Sequence, residues 1–130
     1  MSEFNRILCP IDFSDASRHA IDQAAAIAGW YGSHVTGLHV LQQPFVFEPP
    51  ILLAERGGLK DLPANRELVY LRLTEWLKPA SDAGIACDAR IDQGVPADCI
   101  LQYAHYLPAD LIVIGTHGAG GFEHLSLIHI

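Results

Sequence analysis

The sequence predicts an α/β fold, a doubly wound open parallel sheet, on three observations. Two short runs, Arg6–Asp12 and Asp110–Gly115, are almost continuously apolar, the pattern of strands covered on both faces. Between them, apolar residues recur at three- and four-residue steps, as on helices that bury one side. The resulting order of strand, helix, strand, helix, strand, helix, strand calls for right-handed crossovers within one sheet.

Strand one is Arg6–Asp12. Ser14 and Asp15 suit the start of a helix, and Ala16, Ala20, Ala24, Ile27 and Ala28 form its apolar stripe until Gly29 and Gly32 end it. His34–Leu41 alternates loosely around Val35, Leu38 and Val40 as strand two. Gln42–Pro63 carries Pro44, Pro49, Pro50, Gly57, Gly58 and Pro63, and reads as a long irregular connection. From Ala64 to Ala83 the residues Leu68, Leu71, Leu73, Trp76 and Leu77 keep helical spacing, with a break at Pro79 and closure at Gly84. Ile85–Ile91 alternates as a half-buried strand at the edge of the sheet. Gly94, Val95 and Pro96 lead into a third helix through Tyr106, and Asp110–Gly115 is strand four. With no repeat, linker or composition shift, residues 1–130 read as one domain.

Of the 130 residues, 50% are apolar and 18% charged, enough to bury a core. A formal charge of −7 without any Lys/Arg cluster opposes the counterion release that dominates nucleic-acid binding, which sets nucleic acid aside as a main ligand. No apolar run approaches the roughly 18 residues of a spanning helix, and Met1–Arg6 has no basic stretch leading into an apolar one. A cytoplasmic chain without membrane contact is expected. Cys9, Cys87 and Cys99 are odd in number and widely spaced, as reduced thiols rather than a disulfide scaffold would be.

In an open α/β sheet, ligands bind beyond the carboxyl ends of the strands, where the winding reverses. That singles out Pro10–Ser14, Val40–Gln43 and the residues from Gly115 onward. In these places Ile7–Ser14 (Ile-Leu-Cys-Pro-Ile-Asp-Phe-Ser), Gly37–Val40 (Gly-Leu-His-Val) and Asp110–Gly118 (Asp-Leu-Ile-Val-Ile-Gly-Thr-His-Gly) resemble the universal stress proteins. The resemblance covers nearly the whole chain in the right order. It implies an adenine-nucleotide alpha-hydrolase-like fold and a stress-response regulator or protective factor that binds ATP, with Mg2+, and forms a homodimer. It further implies that Pro10, Ile11 and Val40 line the adenine pocket, Val40 partly through its backbone, and that Asp12 meets the ribose or the metal side. Gly115, His117 and Gly118 then belong to the phosphate loop. Glycines there let backbone N–H groups approach an anion, and a following helix N-terminus adds its positive end.

The family's nucleotide motif runs Gly, two residues, Gly, nine residues, then Gly with Ser or Thr. Gly115 and Gly118 match its first half, but the second half falls on Ile128 and His129. Two lost charge-assisted hydrogen bonds, at about 1.5 to 3 kcal/mol each, lower affinity by about a hundredfold to ten-thousandfold. ATP binding is therefore expected to be impaired in this chain. The resemblance also implies a last helix and a final parallel strand, and both are expected to be missing, as in a C-terminally truncated domain. Leu125–Ile130 resembles the translation of a transposon-end adapter used in sequencing libraries, and these residues are expected to be non-native. Strand four is then left as an exposed parallel edge with uncovered apolar surface.

Two other readings stay open. One is a family member that does not bind ATP and acts through dimerisation or protein partners. The other is an enzyme of the wider adenine-nucleotide alpha-hydrolase-like group, which needs a catalytic signature; no Ser-His-Asp or paired-carboxylate arrangement follows from spacing, and at most slow ATP hydrolysis is expected. Seven histidines show no H-x-H or H-E-x-x-H spacing, so no metal site is expected. His19, His34, His39 and His105 read as surface or satisfied strand-end residues, and Cys9 as a small hydrophobe. Trp30, Tyr70, Trp76, Tyr103 and Tyr106 read as core or rim packing. Asp12 is also good turn chemistry, and Val40 suits plain core.

Overall fold

The computed structural model describes residues 4–42, 58–117 and 123–129. Along these the order is β1 (Arg6–Pro10), α1 (Asp15–Tyr31), β2 (His34–Leu41), α2 (Gly58–Asp82), β3 (Cys87–Gln93), α3 (Pro96–Tyr106), β4 (Leu111–His117) and β5 (Glu123–His129). The strands form one sheet in the order β3-β2-β1-β4-β5. From β3 to β4 they run parallel: Ile7 stands opposite Val35 on one side and Leu111 on the other, and Val35 stands opposite Cys87.

The two-residue period of the strands divides the core between two faces. Ile7, Cys9, Val35, Leu111 and Val113 pack beneath α1 and α2, against Ala20, Ile21, Ala24, Leu73 and Leu77. Leu8, Leu38 and Ile112 face α3, against Ala104 with Ile100 and Tyr103 at the margin. Helices on both faces make the sheet doubly wound, as the sequence predicts. Because the stripe of α1 is mostly alanine, that helix lies close on the sheet, and Ala20 and Ala24 are fully buried.

Local chemistry sets most of the ends. The Ser14 hydroxyl accepts the Ser17 N–H at 3.1 Å and caps α1. Gly32, left-handed at φ 68°, ends it by donating to the Ala28 carbonyl at 2.8 Å, while Gly29 lies within the helix instead of ending it. Helix α2 begins at Gly58, so residues 58–63 are not part of an irregular connection, and the rest of that connection lies outside the described residues. Pro79 does not break α2 either. It lies on the exposed side in the last turn, and Glu75, whose carbonyl it leaves without a helical donor, is also an exposed residue, while Leu77 and Ala80 stay packed. Ile85 N–H then donates to Ala80 around Gly84, which is left-handed at φ 91°.

A strand stands where none was expected. β5 returns along β4 antiparallel, from His117 opposite Glu123 to Leu111 opposite His129. The sheet is therefore mixed, and β4 is an interior strand rather than an exposed parallel edge. Only five positions, 118–122, separate the two strands, whereas a parallel return needs a crossover of about a dozen residues or more. The edges are β3, as its half-buried alternation indicates, and β5.

Trp30 and Tyr106 are 76% and 77% exposed and belong to neither core nor rim; each lies in the last turn of its helix. His34 is satisfied at its strand end. Its Nε2 lies 2.6 Å from the Asp88 carboxylate, which also accepts from Thr36 Oγ1 and Arg90 Nε, both at 2.7 Å. Partial burial pushes the Asp88 carboxyl up, but Arg90, Thr36 and His34 outweigh that and hold it below its ordinary value. Cys9 is fully buried, and burial, with Cys87 nearby, pushes its thiol up to about 12. It is an inert core residue.

Candidate functional site

Chain direction across the sheet reverses between β1 and β4: β2 and β3 lie to one side of β1, and α3 carries the chain back to the other. A cavity of about 450 Å³ opens there, at the carboxyl ends of β1, β2 and β4. Pro10, Ile11 and Asp12 line it from the end of β1, Leu38 to Gln42 from β2, and Ile114 and Gly115 from β4. Ser17 closes it from the first turn of α1, and Pro96 and Ile100, one turn apart, close it from α3. Its walls are thus largely aliphatic, with Asp12, Ser17, His39 and Gln42 as the polar groups.

Five of the residues singled out in the sequence, Pro10, Ile11, Asp12, Val40 and Gly115, meet in this cavity. His117 is the last residue of β4, and Gly118 lies outside the described residues. Ser17, His39, Pro96 and Ile100 were not anticipated. Only Ser17 carried a signal, its three-residue spacing from the capping Ser14.

The turn that presents Asp12 is held on several sides. Phe13 is left-handed at φ 64°, an uncommon conformation for a residue with a large side chain. Its ring is gripped by His39 at 4.8 Å, by Trp76 edge-on at 5.2 Å, and by the Arg72 guanidinium at 4.2 Å. His39 Nδ1 lies 2.7 Å from the Ile11 carbonyl. A carbonyl only accepts, so Nδ1 carries the proton in this bond. Asp12 is itself fastened through one oxygen: Oδ1 accepts the Ser14 and Ser17 hydroxyls, each at 2.5 Å, and the Ser14 N–H at 3.0 Å. Partial burial pushes this carboxyl up, but those hydrogen bonds outweigh burial and hold it below its ordinary value, ionised at neutral pH.

Gly115 borders the cavity for a packing reason. A Cβ there would lie 2.9 Å from the Ala16 Cβ and closer still to the Ala16 carbonyl oxygen. Ile128 and His129, which counting along the family motif assigns to the phosphate end, stand elsewhere. They pair with Ile112 and Leu111 at the amino end of β4, about 10 to 13 Å along the strand from Gly115 at 3.3 Å per residue. The His129 ring packs edge-on against Phe4 at 5.1 Å. In this arrangement they cannot obstruct the cavity.

A larger groove, about 780 Å³, runs between α2 and the first residues of β3. It lies along the sheet edge, away from the carboxyl strand ends, and we assign the site to the smaller cavity for that reason. Among the described residues, no group of three or more His, Cys, Asp or Glu could hold a metal ion. No helix among them is long and apolar enough to cross a membrane.

An aliphatic cleft with one oriented carboxylate lies at the switch point of a doubly wound α/β sheet, the place where such domains bind ligands. The chain belongs to the universal stress protein family, whose family pattern matches residues 3–128. It is 32% identical over 125 residues to a universal stress protein of Methanocaldococcus jannaschii, covering 95% of this chain and 71% of that one. A solved universal stress protein family structure from Burkholderia pseudomallei is similar with a TM-score of 0.68 at 25% identity, over 90% of this chain and 85% of the other. A family protein from Arabidopsis thaliana, solved with AMP bound, has the same fold with a TM-score of 0.63 at 19% identity, over 89% and 79%.

Proposed function

We propose that this chain is an adenine-nucleotide-binding universal stress protein, acting by occupancy of the switch-point cleft rather than by turnover. The observation that carries this reading is the joint arrangement of aliphatic walls and a single fastened carboxylate in one cavity. Pro10, Ile11, Val40 and Ile100 offer the apolar contact that a purine needs, and Asp12 offers an acceptor for the hydroxyls of a ribose. The family relative solved with AMP supports the same ligand class. Ile128 and His129 stand at the other end of β4 and do not fill the cleft.

Isothermal titration of the chain with ATP and with AMP, each with and without Mg2+, tests the proposal. Saturable binding is expected, with a loss of about tenfold or more in Asp12→Ala, the size of one hydrogen bond to a charged group. No saturable binding by a folded chain at millimolar nucleotide overturns it.

A second reading, action through self-association without nucleotide, is favoured by one observation. The edge strand β5 exposes Leu125 and Leu127 on one face and Ile128 on the other, apolar surface of the kind that a second copy covers.

A further inference from the structure

Asp12 is bonded asymmetrically. Among the described residues, the hydrogen bonds to its carboxylate all go to Oδ1: the Ser14 hydroxyl and the Ser17 hydroxyl at 2.5 Å each, and the Ser14 N–H at 3.0 Å. A carboxylate oxygen offers about two lone-pair sites, so three donors exhaust it and the remaining accepting capacity sits on Oδ2. Ser17 does more than donate. Its Oγ also accepts the Asp12 backbone N–H at 2.9 Å, so one hydroxyl fastens both the backbone and the side chain of Asp12. Ser17 is 1% exposed and lies in the first turn of α1, so the core fixes its position, and it lines the same cavity as Asp12.

We infer that Ser17, assisted by Ser14, is a positioning residue for the cleft, holding Oδ1 so that Oδ2 is presented to the hydroxyl groups of a bound ribose. This rests on the nucleotide reading above. The chemistry of Oδ2 selects the end of the ligand it meets. An ionised carboxylate accepts and repels anions, so it suits a diol and turns phosphates away. The ordered nucleotide then lies with its sugar toward β1 and its phosphates away from Asp12. Among the charged or titratable groups on the elements that meet here are Asp15 and Arg18 on α1, His39 on β2, Arg72 on α2 and Asp98 on α3. None of them is a hydrogen-bond partner of Asp12 among the described residues, which leaves the serines as the groups that set its state.

The sign of the pH effect follows. Hydrogen bonds to the charged form depress the Asp12 pKa, so acceptor capacity is present above that pKa and lost as pH falls through it. Removing the Ser17 hydroxyl raises the pKa, and the acid limb of binding moves to higher pH.

The test compares the full chain with Ser17→Ala, Ser17→Thr and Asp12→Asn, titrating each with ATP and with 2′,3′-dideoxy-ATP across pH, and following the Asp12 carboxyl carbon by NMR without ligand. Ser17→Ala is expected to weaken ATP about tenfold at neutral pH. It is also expected to shift the acid limb and the Asp12 titration upward, and to blunt the discrimination between ATP and its dideoxy analogue; Ser17→Thr restores all three. ATP binding that is the same in Ser17→Ala, with an unshifted acid limb, overturns the inference and leaves the nucleotide reading standing. If the unsubstituted chain binds no ATP, the nucleotide reading falls and the ribose role with it. An Asp12 titration unchanged by Ser17→Ala then overturns the fastening as well.

Discussion

At Gly115 the backbone of β4 runs against the first turn of α1, and a Cβ there would meet the Ala16 Cβ at 2.9 Å and its carbonyl oxygen closer still. The neighbour is backbone, which cannot swing aside as a flexible side chain can. Gly115→Ala is therefore expected to destabilise the ligand-free chain by about 1 to 3 kcal/mol, the usual size of an overpacking strain. Urea unfolding without nucleotide measures it. An unchanged midpoint together with lost nucleotide binding would instead assign this glycine to the ligand. Phe13 shows a related economy at a neighbouring position. Its left-handed backbone costs about 1 to 3 kcal/mol, and the contacts with His39, Trp76 and Arg72 offset that and keep the Asp12 turn in place.

Among the described residues of helix α2, few side chains fasten it to the sheet. Leu73, Leu77 and Ala80 are buried, whereas Leu68 and Leu71 are exposed. Leu77 sits directly over Gly37, where a Cβ would come within 2.8 Å of its Cδ1, so the absence of a side chain on β2 is what lets the helix approach. Leu77→Ala leaves a cavity at this seam, and a loss of about 2 to 5 kcal/mol is expected in thermal or urea unfolding. A loss below about 1 kcal/mol would show that α2 settles into the space. Because α2 also carries Trp76 and Arg72, which hold Phe13, the same seam bears indirectly on the cleft.

Among the described residues the sheet ends on β5, an antiparallel strand without a partner on its outer edge, whose residues Leu125, Leu127 and Ile128 are 40%, 54% and 49% exposed. An open, apolar edge strand is a template for a second chain. Concentration-dependent self-association is expected in sedimentation velocity, reduced by Leu127→Lys, which puts a charge on the edge without disturbing the core. A chain that stays monomeric at high concentration in both forms would show that this edge does not recruit a copy.

The alternation of apolar runs and helical stripes was readable from the sequence because backbone geometry imposes periods of 2 and 3.6 whatever the neighbours are. It located β2 and α3 at their observed bounds, and it led to the strand ends where Pro10, Ile11, Asp12, Val40 and Gly115 meet. The contribution of Ser17 showed only in its spacing from Ser14, and those of His39, Pro96 and Ile100 were not readable, because contacts between elements carry no period. Nor was the packing role of Gly115, which depends on how closely α1 lies over β4. Counting along the motif assigns Ile128 and His129 to the phosphate end, whereas they stand at the opposite end of β4, because spacing in sequence does not fix the direction in which a strand returns. Local order thus belonged to the sequence. The direction of β5, the fastening of Asp12 and the shape of the cleft were decided only when distant elements packed together.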